Sequence, residues 1–102
     1  MAFIVIYVTH KDDESCQKII SHLLKKKLIA CANMFPIQSS FWWKGKIEGA
    51  NEVVSLLKTK RENWEKVMNE IKRLHSYDTP CIMKLSVEAN EEYEQWITDE
   101  TE

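Results

Sequence analysis

Residues 28–60 hold both of the chain's glycines and one of its two prolines, and they carry no helical stripe. Such a stretch folds most simply as two long extended arms about one reversal. Leu28 to Trp43 reads as the first arm, bent near Pro36, which cannot donate to a central ladder. Lys44-Gly45-Lys46 marks the reversal, and Ile47 to Lys60 returns, most clearly over Glu52 to Thr59. Gly49-Ala50-Asn51 predicts a bulge or slack segment in the returning arm. Arms of about a dozen residues exceed the usual five or six, so they overhang a small body. The simplest cover for the exposed edge and aromatics is another copy of the chain. Trp42 and Trp43 lie beside the turn, and alternation sends them to opposite faces, so they cannot share one role.

The flanking segments supply the rest of a sheet and its cover. Ala2 to Thr9 is β-branched and aromatic, apolar on both faces, as in a central strand. Asp12 or Asp13 can cap a helix with Cys16, Ile19, Ile20, Leu23 and Leu24 on one stripe. Lys25, Lys26 and Lys27 sit at its end, where the helix dipole favours cations. Trp64, Val67, Met68, Ile71, Leu74 and His75 trace a second stripe, which Tyr77-Asp78-Thr79-Pro80 stops. Cys81 to Val87 is a last strand, and Asn90 can cap a short helix with Tyr93, Trp96 and Ile97. The order strand, helix, strand, strand, helix, strand predicts an α+β, ferredoxin-like split βαβ fold. Its antiparallel sheet carries two helices on one face and a helical tail.

With 102 residues there is room for one domain, residues 1–102, which buries roughly 60–70% of its surface and gains from association. A net charge of −2 offers no electrostatic attraction to nucleic acid or an anionic membrane. The apolar start is too short for a span and lacks a signal peptide's basic region, so a cytoplasmic or organelle-matrix location is expected. Cys16, Cys31 and Cys81 are widely spaced, without a CxxC, and read as small apolar thiols rather than a zinc or redox motif.

Taken in order, Leu28-Ile29-Ala30-Cys31-Ala32-Asn33, Pro36, Phe41-Trp42-Trp43-Lys44-Gly45-Lys46-Ile47-Glu48, Leu57-Lys58-Thr59 and His75-Ser76-Tyr77-Asp78-Thr79-Pro80 resemble the CutA family of divalent-cation tolerance proteins. The resemblance covers nearly the whole chain. It implies a tight homotrimer, similar in architecture to the PII signalling proteins, that binds divalent cations and is linked to copper tolerance. Some animal members are linked to acetylcholinesterase anchoring, and no catalytic activity is established for the family. His75-Ser76-Tyr77-Asp78 stands where the family usually has His-Pro-Tyr-Glu. Where some members carry a second histidine and a cysteine, this chain has Leu74 and Val8, so of such a copper site only His75 remains.

Two site readings follow. His75 and Asp78 can share zinc or copper, with water or a neighbouring chain completing the ligands; otherwise His75 closes its helix. Cys31 with Met34 would suit Cu(I) by softness, against an inert thiol in an apolar strand. His10 and His22 read as solvated. In a trimer, Trp43, Glu48, Lys58, Tyr77 and Asp78 can meet across a subunit boundary as a pocket for a cation or small anion. Alternatively, Lys58 pairs with Glu48 and the aromatics seal the interface. No cofactor is obligatory, and an unidentified protein partner is compatible with either reading.

Other classes on this fold fit less well. An acylphosphatase needs an arginine and a glycine-rich phosphate loop after the first strand, and here that loop is Thr9-His10-Lys11-Asp12-Asp13. No cysteine has a visible basic environment to activate it. RNA recognition lacks its aromatic string, and a copper chaperone lacks its CxxC. The expectation is therefore a non-enzymatic, homotrimeric binding or signalling module in divalent-metal tolerance, with small-molecule sensing or protein anchoring as the alternative.

Overall fold

In the computed structural model, which describes residues 2–102, β1 spans Phe3–His10, α1 Asp13–Lys25, β2 Cys31–Trp43 and β3 Lys46–Thr59. A short 3₁₀ turn at Arg61–Asn63 leads into α2 at Trp64–Leu74, followed by β4 at Ile82–Val87 and α3 at Glu91–Glu100. All strand pairs are antiparallel, in the order β2-β3-β1-β4, the expected ferredoxin-like arrangement.

Even-numbered residues of β1 point to the helices. Ile4, Ile6 and Val8 are buried against Cys16, Ile19, Ile20 and Leu23 of α1 and Val67 and Ile71 of α2. Truncating a fully enclosed side chain such as Leu23 would cost about 2–5 kcal/mol. Two expected stripe members, Leu24 and Leu74, are exposed, at the margin of each helix's apolar face.

Local chemistry sets the helix ends. Asp12, extended, accepts the Ser15 N–H at 2.8 Å, and that bond holds its carboxyl below the usual range. At the other end Lys27 adopts φ 58°, and the Lys27 and Leu28 N–H groups bond the carbonyls of Leu24 and Leu23, a Schellman closure without glycine. Asn90 stands at the N-cap of α3, but its side chain does not cap. Glu94 reaches back instead to accept the Ala89 N–H at 2.8 Å. The two core helices are braced by Glu70, whose Oε1 lies 2.6 Å from His22 Nε2 and 3.0 Å from Arg73. Hydrogen bonds from Arg73 and then His22 hold Glu70 at about 2.

The hairpin is the longest feature. β1 pairs only with Val53–Thr59 of β3, so Lys46–Glu52 and Ile37–Trp43 form a two-stranded ribbon beyond the sheet. Gln38↔Asn51, Ser39↔Ala50 and Ser40↔Gly49 continue the register unbroken, so the bulge expected at Gly49-Ala50-Asn51 does not form. Pro36 is accommodated because β2 is an edge strand. Lys44 at φ 49° and Gly45 at φ 79° make the two-residue turn, both in the left-handed region that matches hairpin twist. The ribbon draws the molecule out to 45 × 23 × 21 Å, with a radius of gyration of 14.2 Å against about 13 Å for a compact chain of this length.

The sheet's second face is only partly covered. α3 lies over one end, with Tyr93 edge-on to Phe3 at 6.0 Å and Ile97 buried. Elsewhere Phe35, Phe41, Trp43, Met83 and Leu85 all point to this face and are at least 40% exposed. A ribbon of two strands is marginal in water by itself, and an apolar sheet face of this size needs a cover.

Candidate functional site

After α2 the chain turns back across the end of β1, and the turn is held by His75. Its backbone N–H bonds the Ile71 carbonyl at 2.8 Å, closing the helix. Its ring Nε2–H donates to the Thr9 carbonyl at 2.8 Å, and Nδ1 accepts the Tyr77 N–H at 3.1 Å. That pattern fixes the neutral Nε2–H tautomer and uses both nitrogens. The ring stacks on His10 at 5.4 Å and lies 4.7 Å from the Tyr77 ring.

His10 is fully buried, not solvated as its place at a strand end suggests. Its Nε2 sits 2.8 Å from Ser55 Oγ, and its Nδ1 has no partner among the described residues. Burial first, then the neighbouring His75, lowers its pKa to about 4, so the ring is neutral at neutral pH. Cys16 also hydrogen-bonds Ser55, and burial pushes its thiol up to about 11. His22 is likewise not solvated; it is half-buried against Glu70.

With His75 anchored, Tyr77 extends beneath the hairpin and donates its O–H to Glu52 Oε2 at 2.6 Å. Burial, reinforced by that bond, raises the Tyr77 pKa, and burial beside Glu52 raises that of Cys81. A cleft of about 890 Å³ opens between this loop and the near face of the ribbon. Cross-strand pairs explain the hollow. Ile37↔Glu52 and Phe41↔Glu48 bracket the small pair Ser39↔Ala50 on one face, so the floor dips between a buried acid and an aromatic rim.

Of the five residues expected in one pocket, Trp43, Glu48, Tyr77 and Asp78 line this cleft within a single chain. Lys58 does not join them there. It pairs with Val5 and Cys31 in the body of the sheet, donates to Tyr93 Oη at 3.2 Å and lies over that ring. Its partner is thus Tyr93 and not Glu48. Trp42, on the opposite face from Trp43, borders the cleft mouth and is 72% exposed. Glu52 is the residue sequence reasoning missed. An acid on the same strand face as Val54 and Leu56, at the start of the covered part of β3, was the available signal.

Among the described residues no group of three or more His, Cys, Asp or Glu side chains could hold a metal ion. His75 has no ring nitrogen to spare, and Asp78 is exposed in the loop. Cys31 and Met34 point to opposite faces of β2, Met34 toward the core, so they cannot share a copper ion.

Comparison with known proteins places this geometry among relatives. A family model described as CutA1 divalent ion tolerance protein matches residues 4–100. The divalent-cation tolerance protein CutA of Pyrococcus horikoshii is 44% identical over 99 residues, covering 96% of this chain and 97% of the relative. That of Archaeoglobus fulgidus is 47% identical over 97 residues, covering 94% of each. The crystal structure of CutA1 from Oryza sativa superposes with a TM-score of 0.96 at 30% identity, covering all of this chain and 95% of that one.

Proposed function

The chain belongs to the CutA1 divalent ion tolerance family, and from that premise we propose that it is a non-catalytic homotrimeric binding module whose ligand clefts lie at subunit boundaries. The observation that carries the reading is the uncovered sheet face, continuous with the two-stranded ribbon and bearing Phe35, Phe41, Trp43, Met83 and Leu85. Association buries that face and gives the ribbon neighbours; the family resemblance supplies the number three. A neighbouring copy then closes the open side of the cleft. Lys58, on the same face but remote from Trp43 in its own chain, would meet the cleft of another copy.

Divalent-metal tolerance fits this module through binding, not turnover. Burial raises the thiols of Cys16, to about 11, and Cys81, and Tyr77 is committed to Glu52. The described residues of one chain do not compose a metal site, so copper or zinc would take Asp78 and Glu48 together with groups from another copy. Small-molecule sensing or protein anchoring, with no direct metal role, is favoured by the engagement of both His75 ring nitrogens. No helix among the described residues is long and apolar enough to cross a membrane. The free thiols of Cys16, Cys31 and Cys81 suit the reducing interior of a cell or organelle.

Light scattering after size exclusion tests the assembly. The expected mass is about 36 kDa, three times the 12.1 kDa chain. A stable monomer at micromolar concentration would overturn the reading.

A further inference from the structure

The open sheet face carries two side chains of opposite charge, and neither has an ionic partner among the described residues. Alternate residues of β3, from Glu48 through Glu52 and Val54 to Lys58, share that face. Glu52 is only 9% exposed; it accepts the Tyr77 O–H at 2.6 Å but meets no cation. Lys58 is half-buried; its ammonium lies 3.2 Å from Tyr93 Oη and 5.4 Å from the centroid of that ring, and it meets no acid. Six residues at about 3.3 Å each set the two about 20 Å apart along one strand, so they cannot meet within the chain.

The surroundings of each fit the other. The cleft wall that holds Glu52 also holds Glu48 and Asp78, and no lysine or arginine lines it. Its hydroxyls are uncharged, and burial keeps the Cys81 thiol protonated, so nothing in the lining balances three carboxylates. A carboxylate held mostly out of water is costly until a cation reaches it. At the other end, Lys58 stands in one cross-strand row with Val5 and Leu85, and Leu85 is 53% exposed. That end is thus a cation set in apolar surface that lacks a cover. Because one chain carries its acid at one end of the face and its cation at the other, copies joined head to tail satisfy both. A closed ring leaves neither over.

We propose that Lys58 of one copy enters the cleft of the next and pairs with Glu52, so that every cleft is completed by a lysine from another chain. The inference rests on the trimeric reading and names the contact that joins its members. Tyr77 acts as a positioning residue, because its bond to Oε2 holds the Glu52 carboxylate in place for the incoming ammonium. The pair consumes the buried acid and leaves Glu48 and Asp78 for a further ligand. Ligand site and interface are then one structure, which no single chain possesses.

A double-mutant cycle on assembly provides the test. Sedimentation velocity over a dilution series, at the urea concentration that half-dissociates the wild-type trimer, gives the protein concentration of half-dissociation for each variant. Lys58→Met and Glu52→Gln should each raise it at least about tenfold, and the two together should cost clearly less than the product of the single effects. The exchanged pair, Lys58→Glu with Glu52→Lys, should assemble more tightly than either reversal alone. Should the Glu52 variants misfold by circular dichroism, Lys58→Met against Lys58→Arg carries the test. The arginine variant keeps the charge and should assemble at least about fivefold more tightly than the methionine variant. Assembly unmoved in Lys58→Met overturns the proposal, as do independent effects of the two substitutions, or equal assembly of the methionine and arginine variants. The wild-type mass keeps the two ideas apart. A wild-type trimer indifferent to Lys58 removes this inference alone, whereas a wild-type monomer removes the trimeric reading and this contact with it.

Discussion

His10 shows how one buried side chain makes the whole fold sensitive to pH. It is buried between Ser55 and His75, with Glu52 near enough to oppose part of the shift, and its pKa falls to about 4 from an ordinary 6.5. Between those values the unfolded chain binds a proton that the folded chain refuses, so stability falls as pH drops from about 6.5 to about 4. The full loss is on the order of 3 kcal/mol, and above pH 7 it vanishes. Urea midpoints at pH 7.5 and 4.5 should therefore separate, and in His10→Asn the part of the separation due to this residue should disappear. Tyr77→Phe tests the neighbouring bond. Removing the hydroxyl takes away the hydrogen bond that Glu52 Oε2 accepts at 2.6 Å, so the folded state should lose about 1–3 kcal/mol, read as a lower urea midpoint at pH 7.5. Neither residue's surroundings were legible in the sequence. His10 follows a strand and precedes Lys11-Asp12-Asp13, a context that reads as solvent; only the third dimension brings His75 over it, 65 positions along the chain.

Elements were more legible than their margins, because periodicity reports which face is buried but not where the neighbouring element ends. The arms of the hairpin were expected from the scarcity of breakers, and β2 and β3 run 13 and 14 residues. The slack expected at Gly49 was wrong for a physical reason. Its position meets only the Ser39 backbone oxygen at 3.7 Å, an ordinary contact, so the glycine serves an even ladder and not a bulge. Gly45 differs, since its φ of 79° demands a residue free of Cβ strain while nothing lies within 4 Å of the added atom. Gly45→Val should therefore destabilise through backbone strain alone, by about 1–2 kcal/mol. Lys44→Asn, which suits φ 49° better than lysine does, should raise the melting temperature slightly. Thermal unfolding followed at 218 nm distinguishes the two, and a cost in Gly45→Val no larger than that of Gly49→Val would show that the turn geometry does not matter. In the candidate site the same limit applied. Trp43, Glu48, Tyr77 and Asp78 were found from the hairpin tip and the helix stop, but Glu52 was hidden inside a strand.

At the scale of the molecule, the decisive feature is a sheet with one face finished and the other left open. α1 and α2 seal the first face around Ile4, Ile6 and Val8, whereas α3 covers only the end near Phe3. Met83 and Leu85 on β4 and Phe35 on β2 stand on the open face, and each is exposed. If copies of the chain supply that layer, folding and assembly are one equilibrium, and the melting temperature must rise with protein concentration. A tenfold increase in concentration should raise it by a few degrees. Leu85→Glu places a charge on the open face, where a single chain tolerates it because the side chain is half exposed. The assembly does not tolerate it, because an unpaired carboxylate would be buried between sheets. The variant should retain its circular dichroism, lose the concentration dependence of its melting and elute as a single chain. A variant that unfolds outright is informative too, since the ribbon and open face would then be shown to need partners to exist. A Leu85→Glu protein that keeps the parent's mass and melting curve would mean that copies meet elsewhere, and the cleft beneath Trp43 would have to work with the walls of one chain.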